Sequence, residues 1–230
     1  MALAIFDLDE TLVAGDSASL FCRFLVDHGF AGDEFVAGDQ AFSEQYSAGT
    51  LDMRDYVRFQ LAPLAHLDTQ QIDALMPVFI KEYLSPRVYT DARELLVACR
   101  AQGKRLVIIS ATVAFIVRAI AQELGVEDVL AIELEETPDA AASNAGYSGE
   151  VAGVPSFREG KIIRLKAWLE EQGESMDGAY FYSDSMNDLP LLEWVEHPVA
   201  TNPDQSLSEL ALSRGWQLIR WPAPVSAALA

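Results

Sequence analysis

The chain is short of cations, cysteine and histidine. Over 230 residues, sixteen Lys and Arg face 35 Asp and Glu, a formal charge of −19. Such a field repels phosphate backbones and argues against a nucleic-acid partner. It also means that an anionic substrate needs local positive groups, so any Lys in a cleft becomes informative. There are two cysteines, Cys22 and Cys99, each inside an apolar, helix-like stretch, where a small core residue is expected. No Cys/His spacing resembles a zinc site. The three histidines, His28, His66 and His197, are scattered and read as surface or loop residues. No run approaches the ~18 apolar residues that a membrane helix needs. The opening Met-Ala-Leu-Ala-Ile-Phe is too short for a signal peptide and lacks a basic start. A cytoplasmic enzyme without a membrane partner is the expectation. Oligomeric state is left open.

What is present is a core. Half the residues are apolar, enough to bury a sizeable interior. The length suits one core domain with a large insertion. Residues 2–7 form a short apolar run ending in Asp7 and read as a buried strand. Residues 17–29 have helical spacing at Leu20, Phe21, Phe24 and Leu25, with Asp16 or Ser17 as cap and Gly29 as stop. Helices are also expected over 33–48, 52–62 and 68–83, each with an Asp at its start. From there the pattern alternates: helix 89–102, strand 105–110, helix 112–124, strand 128–134. A glycine-rich hairpin or loop over 145–157 follows, then helix 159–172 and strands at 178–182, 197–201 and 216–220. Alternation of this kind predicts an α/β fold, a Rossmann-like, mostly parallel sheet flanked by helices. Residues 16–84 read as an all-helical insertion after the first strand, leaving 1–15 and 85–230 as the core.

In such sheets ligands bind outside the carboxyl ends of the strands. Four polar clusters fall there: Asp7, Asp9 and Thr11; Ser110 and Thr112; Lys161; and Asp184 with Asp188. Each alone reads as a turn, a cap or a solvated charge. Together, in this order, they suit phosphoryl transfer. A phosphomonoester is dianionic and resists attack by an anion, and a magnesium ion offsets that repulsion through hard carboxylate ligands. One carboxylate can be the nucleophile and another the acid and base. A hydroxyl and an ammonium can hold the remaining phosphoryl oxygens.

The segments Asp7-Leu-Asp9-Glu-Thr11-Leu-Val, Ser110, Arg158-Glu-Gly-Lys161 and Ser183-Asp184-Ser-Met-Asn-Asp188 resemble the four motifs of the haloacid dehalogenase superfamily. The likeness spans nearly the whole chain. The helical insertion is similar to the small C1-type cap of the phosphoserine phosphatase-like branch, subfamily IB. The resemblance implies Asp7 as nucleophile and Asp9 as general acid and base. It implies magnesium held by Asp7, the Asp9 backbone carbonyl and Asp184, with Asp188 orienting that site. It implies Ser110, Lys161 and Asn187 on the phosphoryl group, with Lys166 as the fallback lysine, and Thr11 as support for the first loop. Cap movement is expected at hinges near 14–16 and 84–87.

Two departures from the phosphoserine pattern concern the leaving group. Asp16 stands where that branch carries a longer acid for the serine ammonium. Gln60, with Arg58 nearby, stands where it carries an Arg for the serine carboxylate, and Gln cannot replace a bidentate clamp. A small amino-alcohol phosphate such as histidinol phosphate fits this profile. Phosphoserine, or a mutase reaction using the same two carboxylates, stays open. Dehalogenation is disfavoured by Asp9, since a leaving halide needs no proton. The insertion's aromatic residues, Phe21, Phe24, Phe42, Tyr46, Tyr56 and Phe59, are expected to pack the helical bundle, with one or two of them, not singled out by the sequence, lining the pocket.

Overall fold

The computed structural model describes residues 2–137 and 146–224. Six strands form one parallel sheet in the order β3-β2-β1-β6-β7-β8. They are β1 (Leu3–Phe6), β2 (Arg105–Val113), β3 (Asp128–Ile132), β6 (Tyr180–Ser183), β7 (His197–Thr201) and β8 (Gln217–Ile219). The chain runs outward from β1 to β3, then returns to β6 on the other side of β1. The strand order therefore reverses between β1 and β6, and a crevice opens at their carboxyl ends. β4 (Leu134–Glu136) and β5 (Tyr147–Val151) form a separate antiparallel pair. It accounts for part of the glycine-rich stretch, and the expected strand over 128–134 breaks at Glu133 to supply β4.

Strand period decides which residues enter which layer. Ala4, Phe6, Leu106, Ile108, Tyr182 and Val199 join one apolar cluster with α5 (Thr90–Ala101) and α6 (Ala114–Leu124). Leu3, Ile5, Val107, Ile109, Phe181 and Ala200 join a second cluster with α7 (Glu159–Gln172), α8 (Leu189–Trp194) and α9 (Gln205–Arg214). Helices thus cover both faces of the sheet, as an all-parallel sheet requires. The sequence pattern predicts neither α8 nor α9. The first has only six residues with Pro190 in its opening turn, too few for a periodic signal. The second is capped by Asp204, which accepts from Leu207 N (2.8 Å).

Between β1 and β2 lie α1 (Ser17–Asp27), α2 (Glu34–Ala48), α3 (Met53–Leu61) and α4 (Thr69–Phe79), all with starts near those expected. Asp16 caps α1, Asp52 caps α3, and Asp68 with Gln71 forms a reciprocal capping box on α4. The fourth helix does not run straight to residue 83. Pro77 interrupts its hydrogen bonding, and the chain continues as a π turn over Ile80–Leu84 and a 3-10 turn over Ser85–Arg87. The two links to the sheet then lie side by side, with Ala14 N donating to Arg87 O (2.8 Å). α6 begins at Ala114, two residues later than expected, because β2 continues extended past Ser110 with a shift of register between Ile109 and Val113. Among the described residues no helix is long and apolar enough to cross a membrane.

The inserted helices share the sheet's apolar cluster. Phe21 of α1 is fully buried and meets Phe24, Phe79 and, from α6, Phe115 at centroid distances of 5.7, 5.1 and 5.5 Å. Truncation of such a ring removes transfer free energy and leaves a cavity. Phe21→Ala is expected to cost about 3–5 kcal/mol of unfolding free energy in urea titrations. A loss below about 1 kcal/mol would show that this ring does not tie the insertion to the sheet.

Candidate active site

Asp7 is the first residue beyond β1, and its N–H donates to Tyr182 O of β6 (2.9 Å). Asp184 is the first residue beyond β6. Adjacent parallel strands therefore deliver both carboxylates to one crevice. Lys161 enters from the first turn of α7. Its Nζ donates to Asp7 Oδ1 (2.9 Å) and Asp188 Oδ2 (2.7 Å), and the side chain is 3% exposed. Ser183 Oγ donates to the same Asp188 oxygen (2.7 Å). Seating Lys161 this deeply depends on its neighbour Gly160. A Cβ there would lie 2.0 Å from the Pro155 carbonyl oxygen, so only glycine lets α7 start so close to that loop. Lys166 lies elsewhere, its Nζ 5.3 Å from the centre of the Trp194 ring.

Asp9 sits where three segments meet. Its Oδ1 accepts from Ser17 N at the start of α1 (2.7 Å), and its Oδ2 accepts from Thr112 Oγ1 (3.0 Å). The loop between Asp7 and α1 holds an unfavourable backbone. Glu10 has φ +53°, a region that costs a non-glycine residue about 1–3 kcal/mol. It is held by Asn202 Nδ2 donating to Glu10 O (2.7 Å) and Trp221 Nε1 donating to Thr11 O (2.9 Å). Thr11 Oγ1 donates a long hydrogen bond to Asp184 Oδ1 (3.5 Å). Ser110 is buried. Its Oγ accepts from Thr112 N (3.1 Å) and its carbonyl accepts from Ser156 Oγ (2.6 Å).

A cavity of about 250 Å³ connects these groups with the inserted helices. Asp7, Asp9, Glu10, Asp184, Lys161, Ala111 and Thr112 line its floor, and Asp16, Phe42, Tyr46, Leu51, Met53 and Tyr56 line its upper wall. The expected pair Arg58 and Gln60 is not among the lining residues. Arg58 is exposed and pairs with Glu150 and Asp55. Gln60 is buried behind Ala18 and donates to its carbonyl (3.3 Å). Asn187 is also outside the lining and accepts from Arg158 Nε (3.1 Å). Phe42, Tyr46 and Tyr56, expected as packing residues, do both jobs. Their rings touch neighbouring aromatics and face the cavity. Thr112, expected at a strand end with Ser110, and Ser17, expected as a possible helix cap, both hold Asp9. Ser183, Asn202 and Trp221 carry no sequence signal for their roles beside Asp188 and the first loop. Cys22 and Cys99 are buried free thiols, as expected.

Lys161 is the one cation among the described residues lining the cavity, against five acids. Burial raises the Asp7 carboxyl to about 7, opposed by Lys161 and assisted by Asp188. Burial and then Asp16 raise Asp9 to about 8. Asp184 is pushed well above the usual carboxylate range by burial, Asp7 and Asp188. For Lys161, burial opposes the charge, but Asp188 and Asp7 outweigh it and hold the ammonium above its ordinary value. Among the described residues no three Asp, Glu, His or Cys side chains converge as a ready metal cluster. Asp7 and Asp184 nevertheless offer hard oxygen donors on adjacent strand ends that repel one another. That donor set and its surplus of negative charge fit a hard divalent cation better than a soft metal.

A model of the haloacid dehalogenase-like hydrolase family matches residues 4–193. The chain belongs to that family and is an enzyme of that hydrolase class. It is 36% identical to a histidinol-phosphatase of Neisseria meningitidis serogroup C (strain 8013), over 95% of this chain and 98% of the relative. It is 28% identical to a phosphoserine phosphatase of Mycobacterium tuberculosis (strain ATCC 25618 / H37Rv), over 94% of this chain and 70% of the relative. A solved structure of a protein of unknown function from Bordetella pertussis Tohama I shares the fold with a TM-score of 0.85. It is 35% identical, over 95% of this chain and 97% of that one.

The raised carboxyls make stability depend on pH. Between the ordinary value of 3.8 and about 7 to 8, folded Asp7 and Asp9 keep protons that the unfolded chain has released. Their contribution is full below pH 3.8 and is lost as pH rises through 7 to 8. In chelator, the urea midpoint is expected to fall between about pH 5 and about pH 8, and Asp9→Asn is expected to flatten that fall. Equal wild-type midpoints at the two pH values would count against uncompensated carboxyls in the site.

Proposed function

We propose that the protein is a magnesium-dependent phosphomonoesterase that works through an aspartyl-phosphate on Asp7. The observation that carries this reading is the buried Lys161 between Asp7 and Asp188, in a cavity that Asp9 also lines. An Asp7 oxygen bonds to phosphorus while the bond to the substrate's ester oxygen breaks. Asp9 gives its proton to that oxygen and the alcohol leaves. Asp9 then takes a proton from water, whose oxygen displaces Asp7 and releases orthophosphate. Lys161 steadies the charge on the equatorial oxygens. When bound at Asp7, Asp184 and the Asp9 carbonyl, magnesium supplies the positive charge that lets one anion approach another. Residues 16–84 act as the cap that limits water during attack.

For the leaving group we favour an amino-alcohol phosphate such as histidinol phosphate. Asp16 offers an acid in the upper wall, and Phe42, Tyr46 and Tyr56 offer planar apolar surface. Among the described lining residues a substrate carboxylate would find no free cation, because Lys161 is already shared by two acids. That disfavours phosphoserine. The relative named histidinol-phosphatase, alike over almost its whole length, supports the same choice. Two buried free thiols suit a reducing compartment such as the cytoplasm.

Phosphate release from histidinol phosphate, phosphoserine and p-nitrophenyl phosphate, with magnesium and with chelator, tests the reading. Asp7→Asn should lower kcat by at least about a thousandfold, and chelator should abolish turnover. An active Asp7→Asn protein would sink the mechanism. Asp16→Asn should raise KM for histidinol phosphate about tenfold, and less for p-nitrophenyl phosphate. Faster cleavage of phosphoserine than of histidinol phosphate would overturn the choice of substrate.

A further inference from the structure

Tyr46 belongs to α2 in the helical insertion, yet its side chain meets the core. Its ring centre lies 5.5 Å from that of Phe157, in the loop before α7. It lines the cavity beside Asp7, Lys161 and Ser185. Burial and then the nearby Asp7 hold its hydroxyl above the ordinary phenol range, so it carries its proton at neutral pH.

Asn187 acts on this hydroxyl from the core, opposing the burial that raises it. Arg158 Nε donates to Asn187 Oδ1 (3.1 Å) and fixes the amide. The Tyr46 O–H can donate to an acceptor in the cavity it lines. Arg158 is itself tightly placed. Its guanidinium stacks on Phe157 at 4.8 Å, and its backbone sits at φ +51°, a region kept only where surroundings over-determine it. The same guanidinium approaches the end of α2. A Cβ on Gly49, the residue that caps that helix, would lie 3.0 Å from Arg158 Nη2. A cation there also suits the negative end of the helix dipole.

We propose that Tyr46 is a phosphoryl-binding residue supplied by the insertion, its O–H donating to a phosphoryl oxygen while Asn187 and Arg158 hold it in place. This rests on the phosphatase reading above. The cavity sets five acids against one ammonium, so a dianionic group needs every donor within reach. A neutral O–H adds a donor without a buried charge. It also makes phosphoryl binding depend on α2 being seated against the core. Asn187 then acts as a positioning residue for Tyr46.

Tyr46→Phe in the full chain, with magnesium, is the test. It removes the hydroxyl and keeps the ring on Phe157. The orthophosphate inhibition constant should rise about tenfold, and kcat/KM should fall by a similar factor for both p-nitrophenyl phosphate and histidinol phosphate. Both substrates suffer because the lost contact is to the group they share. The melting temperature should shift by no more than about 2 °C, since no packing is lost. Asn187→Ala should weaken orthophosphate in the same direction. An inhibition constant within about twofold of wild type in both variants, or a loss confined to histidinol phosphate, would overturn the assignment. In that case an active wild type leaves the phosphatase reading standing. A wild type that neither turns over p-nitrophenyl phosphate nor binds orthophosphate overturns both.

Discussion

A buried ammonium between two carboxylates is the constraint on which the rest of the site depends. Lys161 meets partners 154 and 27 positions away in the chain, Asp7 and Asp188. Removing such charges from water costs several kcal/mol per ion, and losing one partner of a buried pair costs about 3–5 kcal/mol. Only a rigid frame can hold that arrangement. Here the frame is the parallel pairing of β1 with β6, the close start of α7 at Gly160, and Ser183 beneath Asp188. The strand order that reverses between β1 and β6 is what brings these groups to one crevice.

The same triad leaves the site short of positive charge. Lys161 answers two acids, while Asp9, Asp16 and Asp184 have hydroxyl or backbone donors but no ion pair among the described residues. The raised pKa values of Asp9 and Asp184 follow from burial and from repulsion by neighbouring acids. An acidic protein that takes an anionic substrate must therefore draw its attraction from a metal ion and from neutral donors. Division of labour follows from that need. The sheet holds the carboxylates of the cavity floor, and the insertion supplies aromatic surface, one acid at Asp16 and the Tyr46 hydroxyl.

The insertion is less separate from the sheet than its sequence boundaries suggest. Phe21 and Phe79 pack with Phe115 of α6 in one continuous apolar cluster. The paired links at Ala14 and Arg87 are joined by a backbone hydrogen bond. Movement of the insertion would have to preserve that buried aromatic contact or open it at a cost. At the far end the insertion meets the core through Tyr46 against Phe157, Arg54 on the Val151 and Gly153 carbonyls, and Arg58 on Glu150.

Local features were legible because they are local. Short apolar runs ending in Asp7 and near Asp184, Asp caps at residues 16, 52 and 68, and the alternation of strands and helices each reflect steric and hydrogen-bonding rules that act within a few residues. Those rules were enough to bring out the fold class and the floor of the site. α8 escaped because six residues carry no periodicity. Arg58 and Gln60 match the phosphoserine pattern by chain position alone, but helix phase and partners turn the first toward Glu150 and the second behind Ala18. Tyr46 does not stand out among the insertion's aromatics, since nothing within α2 points to Phe157 or Asn187 more than a hundred positions on. The sequence by itself determined the sheet strands, most of the helices and the acid pair Asp7 and Asp9. Only the tertiary structure decided which distant side chains share their space, because that depends on sheet order and helix phase, not on neighbours along the chain.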